Sequence, residues 1–439
     1  MNWFAKGAIF AFILVLLFFP TKSRAWLPDL EAEEESYWGL IYEPMEEGYW
    51  GSVYEKEFKL EKRVPFALSF DIKNEYDDNI FSTEKNQSRD LITYINPGLQ
   101  INARGLRYAI ALDYQMSVTK YANLDPGPGI NLRDLDYIGH NLRLMAKRMI
   151  NDRLKVGLEE LLLLSRRPTD VTLDTNQVSA AKYLRNWISP YVEDQLSDRT
   201  SLRIRFRFDI LHYLQKFTPD DEDSSAYSVD VMLGHELNSR TNVYFDARFL
   251  TRDYEISTDY NAYQAVVGIT RKFNPRYRGE ISFGVQKKNF DKQINGVVEN
   301  TTRTIGMAKL ARETKKTSAE LSFSHFPADL GLDNSYYTVN RASLDFFYSP
   351  YSKTRLGASI FFEDLAYDLE KGVTESGQLK KRDDKLYGGD FLIQYTLKSW
   401  LILSLGYTRI ERDSNIINSN YKDNRVFFSI KGVAEWWEK

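Results

Sequence analysis

Cysteine is absent from all 439 residues, which removes disulfide scaffolds and thiolate metal centres. Histidine is scarce: His140, His212, His235 and His325 lie far apart, with no H-E-x-x-H, G-x-S-x-G or phosphate-loop pattern around them. No serine stands at a spacing that would pair with them, so neither enzymatic activity nor a bound metal or cofactor is expected. An excess of basic charge is lacking too, with 58 Lys and Arg against 61 Asp and Glu. That balance disfavours nucleic acid as a partner.

Long apolar runs are missing after the first 25 residues. The run Leu161 to Leu164 follows Glu159 and Glu160 directly, and a membrane-spanning helix needs about 20 apolar residues. The one longer run opens the chain. "MNWFAKG" is a short positive start, "AIFAFILVLLFF" an apolar core, and Ser23 and Ala25 are small residues where a signal peptidase reads. Residues 1–25 are therefore expected to be a signal peptide. Its removal takes away Lys6, Lys22 and Arg24, which brings the formal charge from -3 to about -6. Residues 26–63 are acidic and aromatic without sustained alternation, as expected of a periplasmic N-terminal segment or a small plug.

From Val64 the pattern changes to period two. Tyr108, Ile110, Leu112, Tyr114, Met116 and Val118 alternate with Arg107, Ala109, Ala111, Asp113, Gln115 and Ser117. This outruns the usual strand of about five or six residues and suits the roughly 9 to 11 that cross a bilayer at a tilt. "SLRIRFRFDI", Ser201 to Ile210, puts three arginines on one side of such a strand and four apolar groups on the other. A soluble sandwich with its arginines in water has the same pattern as a membrane barrel with a wet lumen.

Connection lengths separate the two. Short polar turns recur near residues 103, 151, 197, 239, 275, 315, 351 and 398, and longer polar connections fall between them. Eight turns and nine loops join eighteen strands, with sixteen as the alternative. Short turns alternating with long loops are the mark of outer-membrane barrels, whose periplasmic turns are short and external loops long. Residues 64–439 are accordingly expected to form an all-β, transmembrane antiparallel barrel.

Parity then assigns faces. Leu202, Ile204, Phe206 and Phe208 face lipid, while Arg203, Arg205, Arg207 and Asp209 line the lumen. The same rule gives Tyr244, Asp246 and Arg248; Arg278, Glu280, Gln286 and Lys288; Arg341 and Asp345; Arg355 and Glu363. Asp113, Arg143, Lys147, Asp230, Glu320, Asp390 and Arg425 complete the set. Such a lining either braces the wall with opposed charges or grips hydrated solute weakly. Trp187, Tyr191, Trp400, Tyr407, Trp436 and Trp437 fall near strand ends, as interfacial girdles do. Tyr183, Trp187 and Tyr244 are candidate platforms for sugar rings.

"DIKNEYDDNIF" from Asp71 to Phe81, then "DLITYINPGLQIN" and "LRYAIALDYQ", resembles a β-barrel porin family of Gram-negative outer membranes. The resemblance covers residues 64–439 and is sharpest over 70–120, where Asp77, Asp78, Asn79, Pro97 and Gly98 match the motif. It implies residence in the outer membrane and no catalytic residues, the motif positions shaping the first loop and strand. The chain departs from a terminal aromatic, ending two residues past Trp437. Some members accompany exopolysaccharide export, so the resemblance implies a monomeric channel for a hydrophilic polymer beside a periplasmic polysaccharide-export protein. Two other functions fit the same barrel. It can be a passive porin for small hydrophilic solutes, with the connection at 366–386 folded inward, or a sheath that houses or anchors a partner protein.

Overall fold

A computed structural model describes residues 66–127, 130–166, 181–215, 222–291, 300–329, 336–374 and 377–436. The expected signal (1–25), the acidic segment (26–63) and Trp437 lie outside the described residues.

The strands in chain order are β1 (Phe66–Asp77), β2 (Asp90–Arg104), β3 (Tyr108–Tyr121), β4 (Tyr137–Met149), β5 (Leu154–Ser165) and β6 (Tyr183–Ser197). They continue with β7 (Thr200–Tyr213), β8 (Ser224–Asn238), β9 (Thr241–Tyr254), β10 (Tyr260–Asn274), β11 (Tyr277–Phe290) and β12 (Thr301–Glu313). The last six are β13 (Thr317–Asp329), β14 (Tyr336–Tyr351), β15 (Thr354–Val373), β16 (Leu379–Lys398), β17 (Leu401–Ser414) and β18 (Tyr421–Trp436). A 3-10 turn at Leu132–Leu135 is the one other regular element among the described residues. Each strand pairs antiparallel with the next, and β1 pairs with β18 from Phe66↔Trp436 to Asp77↔Arg425. The sheet is closed.

Closure answers the demand that every backbone donor and acceptor in hydrocarbon be paired. No described helix is long and apolar enough to cross a membrane; the crossing is made by strands. All eight short connections lie at one end, together with the start of β1 and the end of β18, so this is the periplasmic rim.

Alternation separates two faces. On β9, Phe245 and Phe249 are 45% and 38% exposed, whereas Tyr244 and Asp246 are 3% and 2%. On β11, Ile281 and Phe283 are exposed while Glu280, Ser282 and Lys288 are buried. The sheltered, polar side is the inside of the barrel, and the exposed apolar side meets lipid. Apolar clusters also form inside: Met232, Tyr244, Val266 and Ile305, and separately, near the outer end, Tyr337, Val339, Leu365 and Tyr367.

The expected long connection at 366–386 is corrected. β15 and β16 are 20 residues each, and their ladder resumes past Ala366 with Lys371↔Lys381 and ends at Val373↔Leu379. A ribbon that outgrows the bilayer needs no apolar outer face, so its sequence loses the regular apolar stripe and reads as loop. Its connection is too short to fold inward as a constriction.

The stretch from Asp77 to Asn79 shapes the first external loop. Asn79 donates through Nδ2 to the carbonyls of Thr83 and Lys422, both at 2.8 Å, and accepts from the Thr83 N–H. Asp77 caps the Asn79 N–H at 2.8 Å, and Asp78 accepts from the backbone and side chain of Asn424 at 2.7 and 2.8 Å. On β2, a Cβ at Gly98 would come within 2.5 Å of the Ser69 hydroxyl, so that position stays small to let β1 and β2 close up.

Candidate functional site: the inner wall

The inner wall is built of charges held between neighbouring strands. Arg203 of β7 stands opposite Glu193 of β6 and pairs with it at 2.7 Å, while Lys155 of β5 approaches the same carboxylate at 3.4 Å. Arg185 pairs with Asp209 at 2.9 Å. Arg205 lies opposite Asp230 in register, and Arg248 of β9 pairs with that carboxylate from the other side. Asp246 is two residues along β9 on the same face.

Further round, Tyr244 donates to Glu280 at 2.8 Å, Glu280 stands opposite Lys309, and Gln286 donates to Gln264 at 3.2 Å. Arg278 and Lys288 share the inward face of β11, and Glu320 lies opposite Asp345. Arg341 pairs with Glu363 at 2.7 Å, Ser359 donates to Asp345 at 2.7 Å, and Thr408 donates to Asp390 at 2.8 Å. Asp113 accepts from Gln100 at 3.3 Å and faces Arg143 in register; Lys147 is four residues along β4 on the same face and exposed.

Cations also lie on rings. Arg203 lies 5.1 Å from the centre of Tyr191, Arg207 4.5 Å from Trp187, Lys288 4.7 Å from Tyr260 and Arg355 4.6 Å from Phe347. A guanidinium over a ring keeps its charge and loses side-chain freedom, worth about 0.5–2 kcal/mol. This corrects the expected girdle positions of Trp187 and Tyr191: both rings point inward, on the parity of Arg185 and Glu193. Trp400 and Tyr407 do lie on the outer surface, 52% and 40% exposed. The proposed sugar platforms are corrected as well. Tyr183, Trp187 and Tyr244 are buried, Trp187 beneath Arg207 and Tyr244 across Gly268, so no ring face is open.

Two inward clusters were not anticipated. Lys73 pairs with Glu75 at 2.5 Å beneath Tyr94, whose hydroxyl donates to Glu75 at 3.0 Å. Asp384 is held by Arg382 at 2.6 Å and Arg412 at 3.2 Å, with Arg382 over the ring of Tyr367. The first was open to parity, since Lys73, Glu75 and Asp77 alternate with Ile72, Asn74 and Tyr76. The second lay in the stretch read as loop.

Asp77, Asp78 and Asp423 bring carboxylate oxygens within 4.8 Å of one another. Arg425 pairs with Asp423 and, at 3.2 Å, with Asp77, so a guanidinium supplies the positive charge there. The four histidines do not converge. Each stands on the outer face and bonds a near neighbour: Tyr114 with His140, Asp223 with His212, Thr200 with His235, and Thr304 and Asn340 with His325.

The wall is closed, with a polar, charged inside and an apolar outside. Residues 66–311 match the family described as "Putative beta-barrel porin 2". The chain belongs to this family. As a porin-family barrel it resides in the bacterial outer membrane and is a channel protein rather than an enzyme. None of the curated proteins matches it in sequence. Among solved structures it is similar to Acinetobacter baumannii OccAB4, at 11% identity and a TM-score of 0.46 over 85% of this chain and 99% of that one. Pseudomonas aeruginosa OccK2 (OpdF) gives 9% and 0.47 over 85% and 98%, and OccK9 (OpdG) of the same organism 12% and 0.47 over 84% and 98%. The family match carries nothing in favour of polysaccharide export.

Proposed function

We propose that this porin is a passive channel for small hydrophilic solutes, with Arg203, Arg205 and Arg207 and their acidic partners forming part of the permeation path. The observation that carries this is the pairing of inward charges across adjacent strands all round the wall. Barrels of about 16 to 18 strands enclose an aqueous channel, and opposed charges fixed at short spacing offer a hydrated solute many weak contacts instead of one deep well. No step of such passage needs an energy source. The test is solute-driven swelling of liposomes holding the purified protein, with neutral sugars of increasing size. Size-graded entry supports diffusion. Exclusion of every small sugar, with retention of a polysaccharide in the pore, would return the reading to polymer export.

A further inference from the structure

The periplasmic rim repeats one feature from turn to turn. The residue just before each ascending strand is Arg107 for β3, Arg153 for β5, Arg199 for β7, Arg240 for β9 and Arg276 for β11. Lys316 and Lys353 hold the same place before β13 and β15, and all seven are exposed. The turns fix them there. Asn151, Asn238 and Asn274 accept through their side chains from the backbone N–H of Arg153, Arg240 and Arg276 at 2.9, 3.0 and 2.8 Å. The carbonyl of each of the seven accepts from the end of the next strand at 2.7 to 3.0 Å. Within the eight turns the acidic residues are Asp152 and Asp198 alone. At the other end of the barrel, the β9–β10 connection carries Glu255 and Asp259 and no cation.

The inner wall pairs its arginines, as Arg203 with Glu193 and Arg341 with Glu363. The rim does not: among the described residues no ion pair holds Arg107, Arg153, Arg199, Arg240 or Arg276. The ring of cations is open at one place. Trp400 stands before β17, and β1, two strands further round the closed sheet, is where the chain enters the barrel. Residues 26–63 lead in through that gap. From Trp26 to Glu55 they carry nine acidic residues and no basic one, interleaved with Tyr37, Trp38, Tyr49 and Trp50.

We propose that the basic rim is the docking surface for the chain's own acidic segment, residues 26–55, which lies across the periplasmic mouth. A guanidinium binds carboxylates through paired hydrogen bonds and stacks on aromatic rings, and the segment offers both. Treated as a random coil, a chain of this length spans about 35 Å. An 18-stranded barrel is about as wide, from a strand spacing of ~4.8 Å and a tilt of ~40°. Attachment at β1 holds the segment near the rim at an effective concentration of about millimolar, so contacts that are weak one by one suffice. The docking does not depend on what the lumen conducts.

Because the chain has no cysteine, introduced thiols report contacts without background. Ser36→Cys is combined with Ser239→Cys in the turn before β9, or with Leu124→Cys in an external connection, and isolated outer membranes are treated with a short bifunctional thiol reagent. An intramolecular cross-link is expected for the first pair and none for the second. Its yield should fall severalfold in about 1 M salt, where the screening length is about 3 Å. It should fall as far when Arg199, Arg240 and Arg276 all become Glu, and persist when all three become Lys. Heat-shifted gel mobility shows that each variant forms its barrel. Absence of the rim cross-link, as when lipid phosphate occupies the rim instead, overturns the proposal. So does a yield that the three glutamates leave unchanged, the mark of chance encounters along the tether.

Discussion

Arg203 on β7 and Glu193 on β6 stand directly opposite each other, joined at 2.7 Å, with the guanidinium laid over Tyr191. The pair is part-buried and shared with Lys155, so removing the carboxylate leaves two cations without it. Glu193→Gln should move the reversal potential in a salt gradient toward anions, and Arg203→Gln should move it toward cations. Equal potentials for the two variants would place this pair outside the conducting path.

The outer face should be intolerant of charge. Val267 is 57% exposed toward lipid, and arginine there is expected to destabilise the barrel by about 2–4 kcal/mol if it lies near the bilayer midplane. Folding titrations into lipid vesicles against urea measure this. Gln264→Arg, inward on β10, is the control and should cost less.

Gly268 keeps β10 flat beneath Tyr244. A Cβ there would collide with the ring that donates to Glu280. Gly268→Leu should therefore lower the melting temperature, and Tyr244→Phe, which loses only the hydroxyl, should lower it by less. Thermal melts in detergent followed by circular dichroism give the comparison.

Asn79 ties the first external loop to β18 through Lys422 and to itself through Thr83. Asn79→Ala should expose residues 80–89 to protease on whole cells while leaving the barrel's melting temperature nearly unchanged. A barrel that melts many degrees lower would mean the bonds hold the wall rather than the loop.

Much of this architecture was legible in the sequence because the membrane imposes period two on every strand. The turns near 151, 239 and 398 and the inward sets on β7, β9 and β11 follow from alternation alone. Alternation gives out where both faces have one character. Past Ala366 the sequence loses its regular apolar stripe, which hid the Arg382–Asp384–Arg412 cluster inside an apparent loop. Through Leu161 to Leu164 both faces are apolar, so alternation alone assigns no face there. Trp187 and Tyr191 show a third limit: nearness to a strand end suggested an interfacial girdle, but parity decides the face.

The most direct test of the account is the conductance of the purified barrel in planar bilayers, with Arg203, Arg205 and Arg207 present and with all three changed to serine. Discrete ohmic channels whose ion preference shifts toward cations in the triple variant are predicted. A bilayer no more conducting than one without protein, or a triple variant with unchanged preference in a folded barrel, would contradict it.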